Sequence, residues 1–191
     1  YDDRWNFDLD IPLYSDQNIG HFEEPWLQTE QDLECLKHIL LPVDGKQTLD
    51  RMRFRYDKAR RTADRWGLPT FATVGMGLTG AMHLCGATGL CTLVMDDPDL
   101  VDAYVELEHQ LNLHNLEIAL DLGVDIFKRN GFYETADFYG PDTLGRFLTD
   151  RLNREVAMIR QAESVSCYTI HTGIMPILDH LRGLDFDCIM Q

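Results

Sequence analysis

The sequence predicts an α/β fold built on a parallel sheet. Three observations carry that reading. From residue 69 onward, short β-branched apolar runs alternate with longer runs of helical period. Most of the helical runs carry their own start or stop signal. Strands separated by helices pair in parallel, through crossovers. A barrel is one closure of this pattern and a doubly wound sheet is the other. No GxGxxG or GxxxxGK[ST] follows any strand, which weakens the nucleotide-binding form. Four strands are too few to close an eight-stranded barrel, so on the barrel reading this chain is part of one.

The elements follow in order. Residues 1–30 hold little periodicity, and WNFDLDIPLYSD reads as a short strand leading into a long loop. TEQDLECLKHIL opens on a capping box, Thr29 with Asp32, and reads as a short helix. LPVDGKQ breaks it. Residues 47–66 form a second helix, stopped by Gly67 and Pro69. PTFATVGMG reads as a buried strand, and residues 80–94, small and apolar, as a helix. In MDDPDLVDAY, Asp97 stands at the N-cap and Pro98 at the first helical position, and that helix runs to about Leu122 before Gly123. VDIFK is a strand, GPDTLGRFL opens a helix to about Glu163, SCYTIHTG is a strand, PILDHLRGL a helix and FDCIM a strand.

Composition sets bounds. The chain has 191 residues, 45% hydrophobic and 26% charged, enough for one domain with a real core. We read residues 1–191 as a single incomplete domain, a loop and helix region over 1–64 and β/α repeats over 65–191. The first residue is Tyr1 and the last stretch, DFDCIMQ, resembles a strand cut off, so the chain reads as a piece of something longer. A net charge of −15 argues against nucleic-acid and anionic-membrane surfaces. The basic stretch RMRFRYDKARR has helical spacing and reads as a solvated helix face. No run of about 18 apolar residues predicts a membrane span. Five cysteines with no CxxC pair suggest no disulfide framework and fit a reducing, cytoplasmic setting.

The stretch GFYETADFYGP, residues 131–141, is unusually dense in aromatic and hydrogen-bonding groups. It follows the VDIF strand at the edge where parallel α/β sheets gather reactive groups. The HTG turn follows the next strand at the same edge. Glu134, Thr135 and His171 are therefore placed to face one cleft. The alternative stays open: Tyr133, Phe138 and Tyr139 cap the sheet while Thr135 or Asp137 holds the next helix start. A lone strand-end histidine such as His171 is more often structural than a ligand. Cys167, Thr169 and His171 share a face, but Cys167 and His171 stand about 13 Å apart along the strand, too far to share a metal. His109 and His114 take surface or packing roles, and Cys85 and Cys91 read as core. Lys128 and Arg129 end a strand and read as solvent-facing.

MDDPDLVDAYVELEHQL, LDLGVDIFK, YETADFYGPDTLGRFL and HTGIMPILDHLRGLDFDCI, in that order and spacing, resemble the uroporphyrinogen decarboxylase family, a superfamily that also holds corrinoid methyltransferases. The resemblance covers residues 65–191 well and 1–64 loosely. It implies an α/β fold of the (β/α)8 TIM-barrel kind, here a partial barrel of central strands and helices with the first and last elements missing. Its site lies at the carboxyl ends of the strands.

The resemblance also implies roles. Thr135 takes the position of a serine in the loop Tyr133-Glu134-Thr135. A central aspartate that binds pyrrole N–H groups falls near WNFDLD, as Asp8 or Asp10. The implied catalytic set is Glu134, Thr135, His171 and Asp10, with Tyr133, Gly173 and Asp8 binding substrate. Glu134 or the aspartate orients the substrate, Thr135 donates a hydrogen bond, and His171 is acid/base or ligand. The decarboxylase branch acts on a porphyrinogen-like substrate without metal or other cofactor, and is the leading expectation. The methyltransferase branch uses zinc and a corrinoid partner, with a methyl donor as the small molecule. Its His-x-Cys motif falls on His171-Thr172-Gly173, where Gly173 stands in place of the cysteine and one soft ligand is lost. A divergent binding-only member is the third reading. The family allows a homodimer of the longer protein.

Overall fold

The computed structural model of the chain describes residues 24–40, 42, 45–171 and 173–190. The WNFDLD region, with Asp8 and Asp10, lies outside the described residues.

Helices α1 (Glu30–Ile39) and α2 (Lys46–Trp66) precede the sheet. Then come β1 (Phe71–Val74), α3 (Gly77–Asp96), α4 (Pro98–Asp121), β2 (Ile126–Asn130), α5 (Pro141–Gln161), β3 (Val165–Thr169), a 3₁₀ turn (Met175–Ile177), α6 (Leu178–Arg182) and β4 (Cys188–Met190). The four strands form one sheet in the order β1-β2-β3-β4, every pair parallel. The order never reverses, so the described sheet has no doubly wound switch point.

The helix boundaries follow local chemistry. Thr29 Oγ1 accepts from the Asp32 amide while the Asp32 carboxylate accepts from the Thr29 amide, so the capping box holds α1. Asp97 Oδ1 accepts from Leu100 N at 3.1 Å, and Pro98 opens α4. The Tyr56 hydroxyl and the Arg60 guanidinium of α2 both donate to the Gly123 carbonyl, and Arg60 pairs with Asp125 at 3.0 Å. The basic stretch of α2 is thus solvated for most of its length but clamps the α4–β2 turn.

Helix α3 departs from a simple crossover. It is broken at Gly86, which sits at φ 71° and ψ 163°. Its first half, Gly77–Met82, is buried in the main core with Leu144, Phe147 and Leu148 of α5. Contrary to the sequence expectation, α3 is one helix among the described residues with the length and composition to cross a membrane.

The two faces of the sheet differ. Residues paired across parallel strands share a face. Val74, Phe127, Ser166 and Tyr168 lie on the face covered by α4 and α5. Val74 and Phe127 pack there with Leu116 and Ile159. The other face carries Thr73, Lys128, Cys167 and Cys188 in one row and Asn130, Thr169 and Met190 in the next. No described helix packs on it. PTFATVGMG was expected as a buried strand, yet Phe71 is 68% exposed, because β1 is an edge strand and Phe71 lies on this open face.

Candidate active site

The carboxyl ends of β1, β2 and β3 lead into loops that meet above the sheet. Under these loops, on the helix side, lies a buried ionic cluster. Arg129 of β2 is only 3% exposed and stands 3.5 Å from Glu155 of α5, 3.7 Å from Glu134 and 3.8 Å from Glu108 of α4. His109 Nδ1 lies 2.9 Å from Glu155 Oε1. The expectation that Arg129 faces solvent is therefore corrected. Arg129 shares the face of Phe127, two residues earlier, and that face is roofed by α4 and α5. Burial works against the Arg129 charge, but Glu155, Glu108 and Glu134 outweigh it and hold its pKa above the ordinary value. Burial likewise opposes the Glu155 charge, and Arg129 and His109 overcome it, so Glu155 titrates below its usual range.

Glu134 is 1% exposed and fully engaged. Its Oε1 accepts from Leu78 N at 2.8 Å, and its Oε2 accepts from the Tyr168 hydroxyl. Burial pushes its carboxyl up to about 7, against the pull of Arg129 and the Tyr168 hydrogen bond. Glu108 accepts from the amides of Met76 at 2.7 Å and Gly77 at 3.2 Å. The two glutamates thus anchor the β1–α3 turn to the cluster from two sides. A further bond runs from Tyr133 N to Thr79 Oγ1 at 3.2 Å.

Above the cluster, the mouth at the strand ends is aromatic and histidine-bearing. The Tyr133 ring sits edge-on to His83 at 6.1 Å, to His171 at 6.3 Å and to Phe138 at 6.0 Å. His171 leans on Phe132 at 4.5 Å, and Lys128 Nζ lies 6.0 Å from that same ring. Burial lowers the pKa of His83, which favours a neutral imidazole there. Just below, at the last register pair of β2 and β3, Asn130 Oδ1 and Thr169 Oγ1 are buried polar atoms that no described protein group satisfies.

The structure therefore divides the candidate residues. Tyr133 and His171 come together at the mouth, and His171 is exposed. Gly173 lies beside them, its carbonyl accepting from Ala136 N at 3.3 Å. Glu134 sits beneath, engaged by Leu78, Tyr168 and Arg129. Thr135 is fully buried, its Oγ1 accepting from Asp137 N at 3.3 Å. Asp8 and Asp10 are outside the described residues. Arg129, Glu108, Glu155, His109 and Tyr168 were missed as a group, as were Asn130 and Thr169. The alternation Phe127, Arg129 within IFKRN was the one available signal for Arg129.

The zinc that the methyltransferase branch implies does not fit these residues. Among the described residues no three His, Cys, Asp or Glu side chains gather to hold a metal. A side chain at position 173 is also disfavoured: Gly173 has φ 64°, and a Cβ there would meet the Asp137 carboxylate at 2.9 Å.

No protein-family model matches the chain. No curated protein matches it. Among solved structures it is similar to a methyltransferase from Methanosarcina mazei, with a TM-score of 0.55 and 18% sequence identity. The match covers 64% of this chain and 35% of that one. The chain thus spans about a third of the length of the solved relative it matches. At this identity the likeness is one of fold.

Proposed function

We propose that this chain is the central part of a (β/α)8-barrel enzyme that transfers a methyl group to a small thiol, with its site at the mouth formed by the loops after β1, β2 and β3. The observation that supports it is the shared fold with a methyltransferase, together with a strand order that never reverses. The decarboxylase reading, preferred from the sequence, has no such support. Among the described residues the cation beside the rings of the mouth is Lys128, a poor match for a substrate with many carboxylates.

The residues divide the work. Tyr133 and Phe132 offer ring surface to the apolar part of the substrate. Asn130 and Thr169 offer unsatisfied polar atoms at the floor. His171 takes the proton from the acceptor thiol. The S–CH₃ bond forms as the donor–CH₃ bond breaks, and the electron pair of that bond stays with the donor. Glu134 and Thr135 act as positioning residues that hold the loop bearing Tyr133. The resemblance implies a corrinoid partner as methyl source. No step here is routed through zinc.

The test uses the full-length protein with methylcobalamin as donor and 2-mercaptoethanol as acceptor, followed by the absorbance change on demethylation. We expect turnover, reduced about 100-fold in His171→Ala. No methyl transfer, with decarboxylation of uroporphyrinogen instead, would overturn the reading in favour of the decarboxylase branch. Binding of methylcobalamin without turnover would overturn it in favour of a binding protein.

A further inference from the structure

The open face of the sheet carries two cysteines on neighbouring strands. Cys167 of β3 and Cys188 of β4 are register partners in a parallel pair. Their sulfurs lie 2.7 Å apart, and both are free thiols. Neighbouring strands are about 4.8 Å apart, inside the Cα range that disulfides span. Bond formation needs the sulfurs to close by roughly 0.7 Å, to about 2.05 Å. The other three cysteines lie on helices away from this pair: Cys85 of α3 donates to the Leu27 carbonyl at 3.3 Å, Cys91 lies farther along α3, and Cys35 lies on α1. The sequence spacing gave no hint of the pair, because 21 residues and a whole helical connection separate its members.

We propose that Cys167 and Cys188 are a redox modification site, which closes to an intrachain disulfide on exposure to a low-molecular-weight disulfide. Within this chain Cys188 is half-buried and Cys167 buried, so Cys188 is the entry point. The Cys188 thiolate attacks one sulfur of glutathione disulfide, and one glutathione thiolate leaves. Cys167 then loses its proton to solvent and attacks Cys188 Sγ, and the second glutathione thiolate leaves. Two protein thiols are oxidised and one glutathione disulfide is reduced to two thiols. Burial, and then the neighbouring Cys188, push the Cys167 thiol up to about 12, so the closing step is the slow one. Proximity compensates, because the attacking sulfur already stands beside its target. The closed bridge ties β4 to β3 and encloses the connection that carries His171 and Gly173.

The inference does not rest on methyl transfer, and its test needs no activity. The purified protein is incubated with glutathione disulfide, alkylated with iodoacetamide and mapped by trypsin without reduction. Cleavage after Arg182 separates the two cysteines. We expect a mass loss of about two hydrogens, three alkylated cysteines in this chain instead of five, and one cross-linked peptide pair joining Cys167 to Cys188. Dithiothreitol restores all five. Cys167→Ser should stop at a stable glutathione adduct on Cys188. Alkylation of both cysteines after oxidation, or a bridge to any other cysteine, overturns the proposal. The map of the unmodified protein decides this even if a variant fails to fold.

Discussion

The hydroxyl of Tyr168, near the carboxyl end of β3, donates to Oε2 of Glu134 in the loop after β2. These residues are 34 apart in sequence, and both are buried. The bond joins the sheet to the loop that presents Tyr133, so the mouth is braced from beneath.

That brace makes stability depend on pH. The Glu134 carboxyl is raised from its ordinary 4.5 to about 7 in the folded protein. The folded state therefore binds the proton more tightly than the unfolded chain. The associated stability is complete below about pH 4.5 and is lost as pH rises through about 7. The raised value corresponds to something on the order of 3 kcal/mol. His83 and His180 work in the opposite sense, since burial lowers both. Comparison of Glu134→Gln with the parent isolates the carboxyl. Urea midpoints measured from pH 5 to pH 8 should fall less steeply in the variant. Parallel curves would show that Glu134 does not titrate in this window.

The Arg129 cluster should be intolerant of partial removal. Arg129→Met removes the guanidinium that faces buried Glu155 and Glu134 and half-buried Glu108. Loss of one partner of a buried ion pair costs about 3–5 kcal/mol. The double variant Arg129→Met/Glu155→Gln should recover part of that loss. Urea denaturation of the single and double variants gives the coupling energy, and strict additivity would show that the two side chains do not interact.

Two glycines at the ends of the same loop should behave differently. A Cβ on Gly131 would run into the Tyr168 ring and meet Glu134 Oε2 at 2.6 Å. A Cβ on Gly140 meets nothing within 4 Å. Gly131→Ala should therefore destabilise by about 1–3 kcal/mol, the usual cost of overpacking. Gly140→Ala, at the N-cap of α5, should change stability by less than about 1 kcal/mol. Thermal unfolding of both variants checks this, and equal effects would contradict the close packing of Gly131 against Tyr168.

Much of the fold was legible in the sequence because its signals are local. The capping box at Thr29, the Asp97–Pro98 start of α4 and the alternation of strands and helices all reappear in the structure. The exposure of Phe71 was not legible, since it depends on β1 being an edge strand with an uncovered face. The mouth was partly legible. Tyr133 and His171 sit in loops that follow neighbouring strands, and adjacency at a sheet edge follows from chain order. The fate of Glu134 was hidden, because its partners Leu78, Tyr168 and Arg129 come from three separate elements. The pairing of Cys167 with Cys188 was hidden for the same reason: only the register of β3 on β4 brings the two together.

Lys128 and Arg129 are adjacent cations sent to opposite sides of one strand. The guanidinium goes to three carboxylates and the ammonium goes beside the Phe132 ring. A slip of β2 by a single position would reverse these destinations. It would put Lys128 or Asn130 under α4 and α5, drive Phe127 out of its pocket, and leave the glutamates facing a partner of the wrong length or no charge. Strand β2 therefore works as an alignment key. Its charges admit one threading of the strand, and they enforce it where the apolar pattern of a five-residue segment is too short to do so alone.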